Sequence, residues 1–321
     1  MTDYLGYRIV GPCSGERKLV DWLDAFNGYA MLDDRAEVHR EAYLSAFTFR
    51  EDFRQYLNSY GTTKGFNGVC SAEFIGFDID NEADLERARR DAARLAFGLI
   101  DGFEMCEADL MIWFSGSKGF HIGLPTSMWG PTWSLNFNRV ARRFAETLAA
   151  QANVVIDLGV YDKVRAFRAP NSRHPKTGLY KRALSLDELT RMSVQRIQGL
   201  AAKPYPFDLP SAGGGSKQAA ADWEAAVQAV EAEAVATVER WASGGMARIN
   251  RSTLDFIRNG AEAGDRHRLL FSAAANLAEF GCPADLAHEL LSEAALDSGL
   301  TPFDVRRQIE CGLSHNSKGN L

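Results

Sequence analysis

No apolar run in this sequence approaches the ~20 residues that a membrane-crossing helix needs, so no membrane role is expected. The opening MTDYLGYRIV carries neither the basic start nor the apolar stretch of a secretory signal, and a cytoplasmic setting is expected. The five cysteines, Cys13, Cys70, Cys106, Cys282 and Cys311, are odd in number, scattered, and never paired as C-x-x-C. Their spacing implies neither a disulfide framework nor a zinc knuckle, and they read as buried or incidental thiols. The order G-x-x-x-x-G-K-[ST] is missing, which excludes a P-loop. No internal repeat is visible. Positive charge is also short: 36 Lys and Arg against 42 Asp and Glu leave a net charge of −6.

That acidic balance does not exclude a polyanionic partner, because local clusters set the field that phosphates meet. Between Lys163 and Arg182 lie Lys163, Arg165, Arg168, Arg173, Lys176, Lys181 and Arg182, with no Asp or Glu among them. Acidic residues gather instead around 82–91 and 222–239. A basic groove on an acidic body and a solvated basic loop are both compatible with this pattern.

With 321 residues, 46% hydrophobic and 24% charged, the chain suits a soluble protein with one large and one smaller domain. SAEFIGFDID (71–80) reads as a strand. Leu85, Ala88, Ala92, Leu95 and Leu99 then repeat at helical spacing behind Asn81 or Asp80 as N-cap. DLMIWFSG (109–116) and FHIGLP (120–125) read as strands, 135–151 as a helix, and NVVIDLGV (153–160) as a further strand. The mixture predicts an α+β or α/β catalytic domain over 1–205. PYPFDLPSAGGGSKQ (204–218) reads as a linker, and an Ala/Glu-rich helix is predicted over about 219–243, ending before Gly244-Gly245. The region 206–250 is thus a linker and connecting helix, and 251–321 a second, smaller all-α domain.

Three segments carry candidate chemistry. Asp78 and Asp80, at i and i+2 of a strand, point to one face, where two like charges are costly unless a cation neutralises them. Ser115-Gly116-Ser117-Lys118-Gly119-Phe120-His121 joins two strands with glycines, hydroxyls, a lysine and an imidazole, donors suited to a triphosphate. Asp157 ends an apolar run and could complete a three-carboxylate site for hard divalent cations. Arg165 and Arg168 follow, three apart, and would converge on one anion if that stretch were a turn or a helix; Phe167 between them reads as a core residue.

Together the three segments resemble the archaeo-eukaryotic primase superfamily, which includes replicative primase small subunits and primase-polymerases. FDID is similar to its hhhDhD motif and SGSKGFHI to its sGxKGxHI motif. IDLGVYDKVRAFRAPNSRHPKTGL is similar to the third motif and its basic KTG tail, although Asp162 stands where relatives often have Thr. The resemblance covers at least 71–182. It implies the superfamily's catalytic fold, mixed sheets flanked by helices, and two divalent ions, Mg²⁺ or Mn²⁺, on Asp78, Asp80 and Asp157. It further implies a nucleoside triphosphate on Ser115, Ser117, Lys118, His121, Arg165 and Arg168. LDFIRNGAEAGDRHRLLFSAAANLAEFG (254–281) resembles the helical C-terminal domains of phage, plasmid and mobile-element primases. The implied activity is primer synthesis on single-stranded DNA, with a separate replicative helicase as partner. Arg173, Lys176, Arg266 and Arg268, with His267, are candidate DNA or initiating-nucleotide contacts. A repair-type polymerase that extends existing primers and a non-catalytic single-stranded DNA-binding accessory remain alternatives, as does a DxD glycosyltransferase, in which SGSKGFHI and KTGL would have no place.

Overall fold

The computed structural model describes residues 4–210, 214–242, 249–262 and 264–315, except for the side chains of 237–242 and 315. The chain divides into two compact units, Met1–Glu233 and Ala234–Leu321. In chain order the first unit holds β1 (Leu5–Val10), β2 (Lys18–Asp21), α1 (Trp22–Ala30), β3 (Ala42–Ser45), β4 (Thr48–Phe49), α2 (Glu51–Tyr60) and β5 (Cys70–Ser71). Then come β6 (Phe74–Asp80), α3 (Leu85–Phe103), β7 (Met111–Phe114), β8 (Gly119–Pro125), α4 (Phe137–Gln151), β9 (Ala166–Arg168), β10 (Arg182–Leu184), α5 (Leu186–Arg191) and α6 (Val194–Leu200). The strands form two antiparallel sheets, one ordered β5-β4-β1-β3-β9 with β2 also on β1, the other β10-β7-β8-β6. The architecture is therefore α+β, as expected.

Alternation along β6 decides what each sheet face does. Ile75, Phe77 and Ile79 are buried in the same core as Ala88, Ala92, Leu95 and Leu99, the helical stripe of α3. Gly76, Asp78 and Asp80 take the other face. Gly76 pairs with Gly123 across β8. A Cβ on Gly123 would lie 3.0 Å from the Trp113 ring and one on Gly76 3.6 Å from Phe167, so missing side chains make room for an aromatic layer. A mainly apolar cavity of about 60 Å³ lies there, lined in part by Leu44, Gly76, Trp113, Tyr161, Phe167 and Lys181.

Three expectations need correction. The cap of α3 is Asp84, whose side chain accepts from the Arg87 N–H, while Asn81 accepts from Asp84 one turn earlier. Residues 153–160 are not a strand: only the Asp157 N–H reaches β6, on the Asp78 carbonyl, and Leu158–Tyr161 closes into a 3-10 turn. The Pro- and Gly-rich stretch is not a free linker where it is described. Asn171 brackets Tyr205 through both backbone groups, Phe207 donates to the Ala30 carbonyl, and Ser216 donates to that of Met128. Helix α7 (Lys217–Ala242) then buries Trp223 against Phe137 and Phe144 of the first unit. Its predicted stop before Gly244-Gly245 lies outside the described residues.

The second unit is all-helical among its described residues, with α8 (Arg251–Asn259), α9 (Arg266–Ala278), α10 (Ala284–Asp297) and α11 (Pro302–His315). Phe256, Leu270, Ala274, Leu277, Leu291 and Ile309 form its own core.

Candidate active site

Antiparallel pairing of β6 with β8 sets Asp78 opposite His121 and Asp80 opposite Gly119. His121 Nε2 lies 3.3 Å from Asp78 Oδ1, yet that buried oxygen accepts no well-directed hydrogen bond. Burial pushes the Asp78 carboxyl up, but His121, Lys181 and Lys118 outweigh it and hold the group below the ordinary carboxylate range. Asp80 moves the other way: burial and the neighbouring Asp78 charge raise it, against the pull of Lys118, whose Nζ is 3.0 Å away. His121 is 5% exposed, and burial keeps its imidazole below the usual value despite Asp78. Gly119 permits this closeness, because a Cβ there would stand 2.2 Å from Asp80 Oδ1 and 2.3 Å from the Ile79 carbonyl.

Ser115 to Lys118 form the turn between β7 and β8. The Ser115 hydroxyl accepts from the Gly119 N–H at 3.2 Å and lies 3.4 Å from that of Ser117, bracing the turn from within. Ser117 is half-buried and Lys118 exposed. Gly116 has φ +86° and packs against the backbone of Leu179 and Tyr180. There the second segment meets the third, as Thr177 Oγ1 donates to the Gly116 carbonyl at 2.5 Å.

Asp157 joins the first segment through its backbone bond to Asp78, while its carboxylate accepts from the Gly159 N–H and lies 3.9 Å from Arg165. Arg165 and Arg168 do not converge. Arg165 precedes strand β9 and faces Asp157, whereas Arg168 ends that strand on the side of Tyr43 and Glu41. Arg168 lies over the Tyr43 ring, bonds its hydroxyl at 3.1 Å and approaches Glu41 to 3.8 Å. Phe167 stacks on His121 with centroids 4.5 Å apart. The basic strip is also not one surface. Lys163 donates to Gly68 and Leu135 carbonyls and approaches Asn67, and Lys181 and Arg182 are buried, whereas Arg165, Arg173 and Lys176 are exposed.

The donor chemistry suits a hard cation only in part. Two carboxylates on one strand face, one with an unpartnered buried oxygen, are the oxygen ligands such ions prefer. Yet Asp80 is held by Lys118 and Asp157 by Gly159 and Arg165. Among the described residues no three acidic, His or Cys side chains gather as a metal-binding group. The expected three-carboxylate centre is therefore neighbouring but not preassembled.

In the second unit Arg266 caps a helix end, donating to the Ser298 carbonyl at 3.1 Å, which leaves the exposed His267 and the Asp265-paired Arg268 on the surface. One residue absent from the sequence-derived site borders it: Lys181, 2% exposed, against the ring of Phe167 that stacks on His121. As one cation among seven in the basic strip, it had no signal to mark it as buried.

No protein-family model and no curated protein matches this sequence. Among solved structures, a chain described as the crystal structure of primase RepB' is similar over 97% of this chain and 88% of its own, at 14% identity and a TM-score of 0.40.

Proposed function

We propose that this chain is a DNA primase or primase-polymerase, joining nucleoside triphosphates into primers on single-stranded DNA. One observation carries the reading. Three segments that resemble the superfamily's motifs, distant in sequence, are tied together by the Asp78–His121 pairing, the Asp157–Asp78 bond and the Thr177–Gly116 bond. In this reading Asp78, Asp80 and Asp157 hold two divalent ions, Mg²⁺ or Mn²⁺, once Asp80 leaves Lys118 and Asp157 leaves Arg165. The ions supply activation of a 3′-hydroxyl and neutralisation of the leaving pyrophosphate. Lys118, His121 and Arg165 meet the triphosphate, and their fixed donors stabilise charge that develops on it. Ser115 and Ser117 act through the turn they brace, presenting its backbone to phosphate oxygens. Arg168 joins the triphosphate contacts only on leaving Tyr43 and Glu41, and Arg173 and Lys176 meet the template backbone. The second unit, with Arg268 exposed, assists initiation, and a separate replicative helicase supplies the template.

The test is incubation with unprimed single-stranded DNA, triphosphates and Mg²⁺ or Mn²⁺. New oligonucleotides that disappear with Asp78→Ala are expected. Extension only of supplied primers would mark a repair-type polymerase, and no incorporation with either metal, alongside intact DNA binding, would leave the non-catalytic accessory.

A further inference from the structure

The first unit buries one lysine almost completely. Lys181 is 2% exposed, and its backbone is pinned on both sides, the N–H donating to Ser172 and the carbonyl accepting from Asn171. Its amine donates to the Arg168 carbonyl at 2.9 Å. It also lies 4.6 Å from the centroid of Trp113 and 4.5 Å from that of Phe167. Burying an amine with a single protein acceptor is costly, and the two aromatic faces are the further contacts that offset it. Here the two rings are the ones that bear on the imidazole. Phe167, from the first sheet, stacks on His121 at 4.5 Å, and Trp113 stands opposite His121 in the β7–β8 register. The lysine, the residue before β10, thus joins the edge of one sheet to β9 of the other, and the two rings it touches flank His121.

We infer that Lys181 is a positioning residue: its amine locks Phe167 and Trp113 around His121 and so fixes the imidazole against Asp78. The placement stands on the geometry alone; its weight in catalysis rests on the nucleotide-binding role proposed above for His121. A purely structural lysine would support the fold without governing the imidazole. A positioning lysine makes His121 respond when the amine is removed and the stem is kept, as in Lys181→Met.

The test reads the His121 ring signal of the full-length, ligand-free protein by NMR, assigned by its loss in His121→Gln. Binding of ATP with Mg²⁺ is measured in parallel. Lys181→Met and Phe167→Leu are each expected to shift the ring signal and to weaken ATP binding severalfold. Lys181→Met added to His121→Gln should cost no further affinity, since coupled residues are not additive. An unshifted His121 signal in Lys181→Met overturns the inference, as do multiplying losses in the double variant. If Lys181→Met does not fold, Lys181→Gln, which keeps a polar side chain but not the amine, decides alone, and an unshifted signal there overturns it equally. A shifted signal in a protein whose wild type binds no ATP upholds the positioning and sinks the nucleotide reading instead.

Discussion

Gly119 and Lys181 show how single residues set the terms of the site. A methyl on Gly119 would enter the space of Asp80 Oδ1 and the Ile79 carbonyl. Gly119→Ala should therefore displace the Asp80 carboxylate and destabilise the unit by about 1–3 kcal/mol, the usual range for overpacking. Nucleotide incorporation should fall with it; a variant of unchanged melting temperature and activity would show that Asp80 is not held there. Burial pushes the Lys181 amine down to about 7 from its ordinary 10.5. Between those values the unfolded chain binds a proton that the folded chain does not, so this group makes stability rise with pH from about 7 to 10 and adds nothing below. Wild type should consequently gain more melting temperature than Lys181→Met between pH 7 and 9; equal gains would mean that the amine titrates normally. Both residues also mark what sequence could and could not disclose. Asp78, Asp80, Lys118 and His121 were legible because strand alternation and one short turn fix their mutual positions locally. Lys181 and the Arg168–Tyr43–Glu41 grouping were not, because contacts across two sheets decide them.

At the scale of elements, the same distinction separates β6 and β8 from the third segment. The β6–turn–β8 part follows from alternating apolar residues and from glycines, features that need no distant partner. The run NVVIDLGV has strand composition, yet Gly159 lets Asp157 cap a 3-10 turn, and only one ladder bond forms. An Asp that captures a nearby N–H competes with strand pairing, which is why β propensity misled there. The far end of the same segment, its KTG tail, is tied to the β7–β8 turn by the hydrogen bond from Thr177 to the Gly116 carbonyl. Replacing it by Thr177→Val keeps the shape and removes the donor, at a cost of about 0.5–1.5 kcal/mol if it is a typical hydrogen bond. Because that bond joins the turn that would face the triphosphate, KM for nucleotide should rise severalfold while kcat changes little. A fall in kcat at constant KM would place Thr177 outside nucleotide binding.

Across the whole molecule, composition located the second, helical unit but not the division between the units. A stretch rich in Pro, Gly and Ser reads as a linker until specific bonds such as those of Asn171 and Ser216 strap it to a body, and these are invisible in composition. The separate core of the second unit predicts that Leu291→Ala, at a fully buried position, costs about 2–5 kcal/mol there. Limited proteolysis should then cut within Ala234–Leu321 while ATP binding by the first unit persists; loss of both would show that the units do not fold separately. Net charge carries a second consequence at this scale. A chain of net charge −6 can hold a polyanion only through those cations that its own structure leaves available. Lys163, Arg168, Lys181 and Arg182 are buried or committed to protein groups and Arg165 faces Asp157 at the nucleotide site, so the strip leaves the exposed Arg173 and Lys176 for the template. About two phosphate contacts on a single strand correspond to a slope of roughly −1.4 in log affinity against log salt. Anisotropy titrations between 50 and 200 mM salt should find that shallow slope, and Arg173→Ala with Lys176→Ala should flatten it towards zero. A wild-type slope several times steeper, unmoved by the double substitution, would place the template on a different face of the protein.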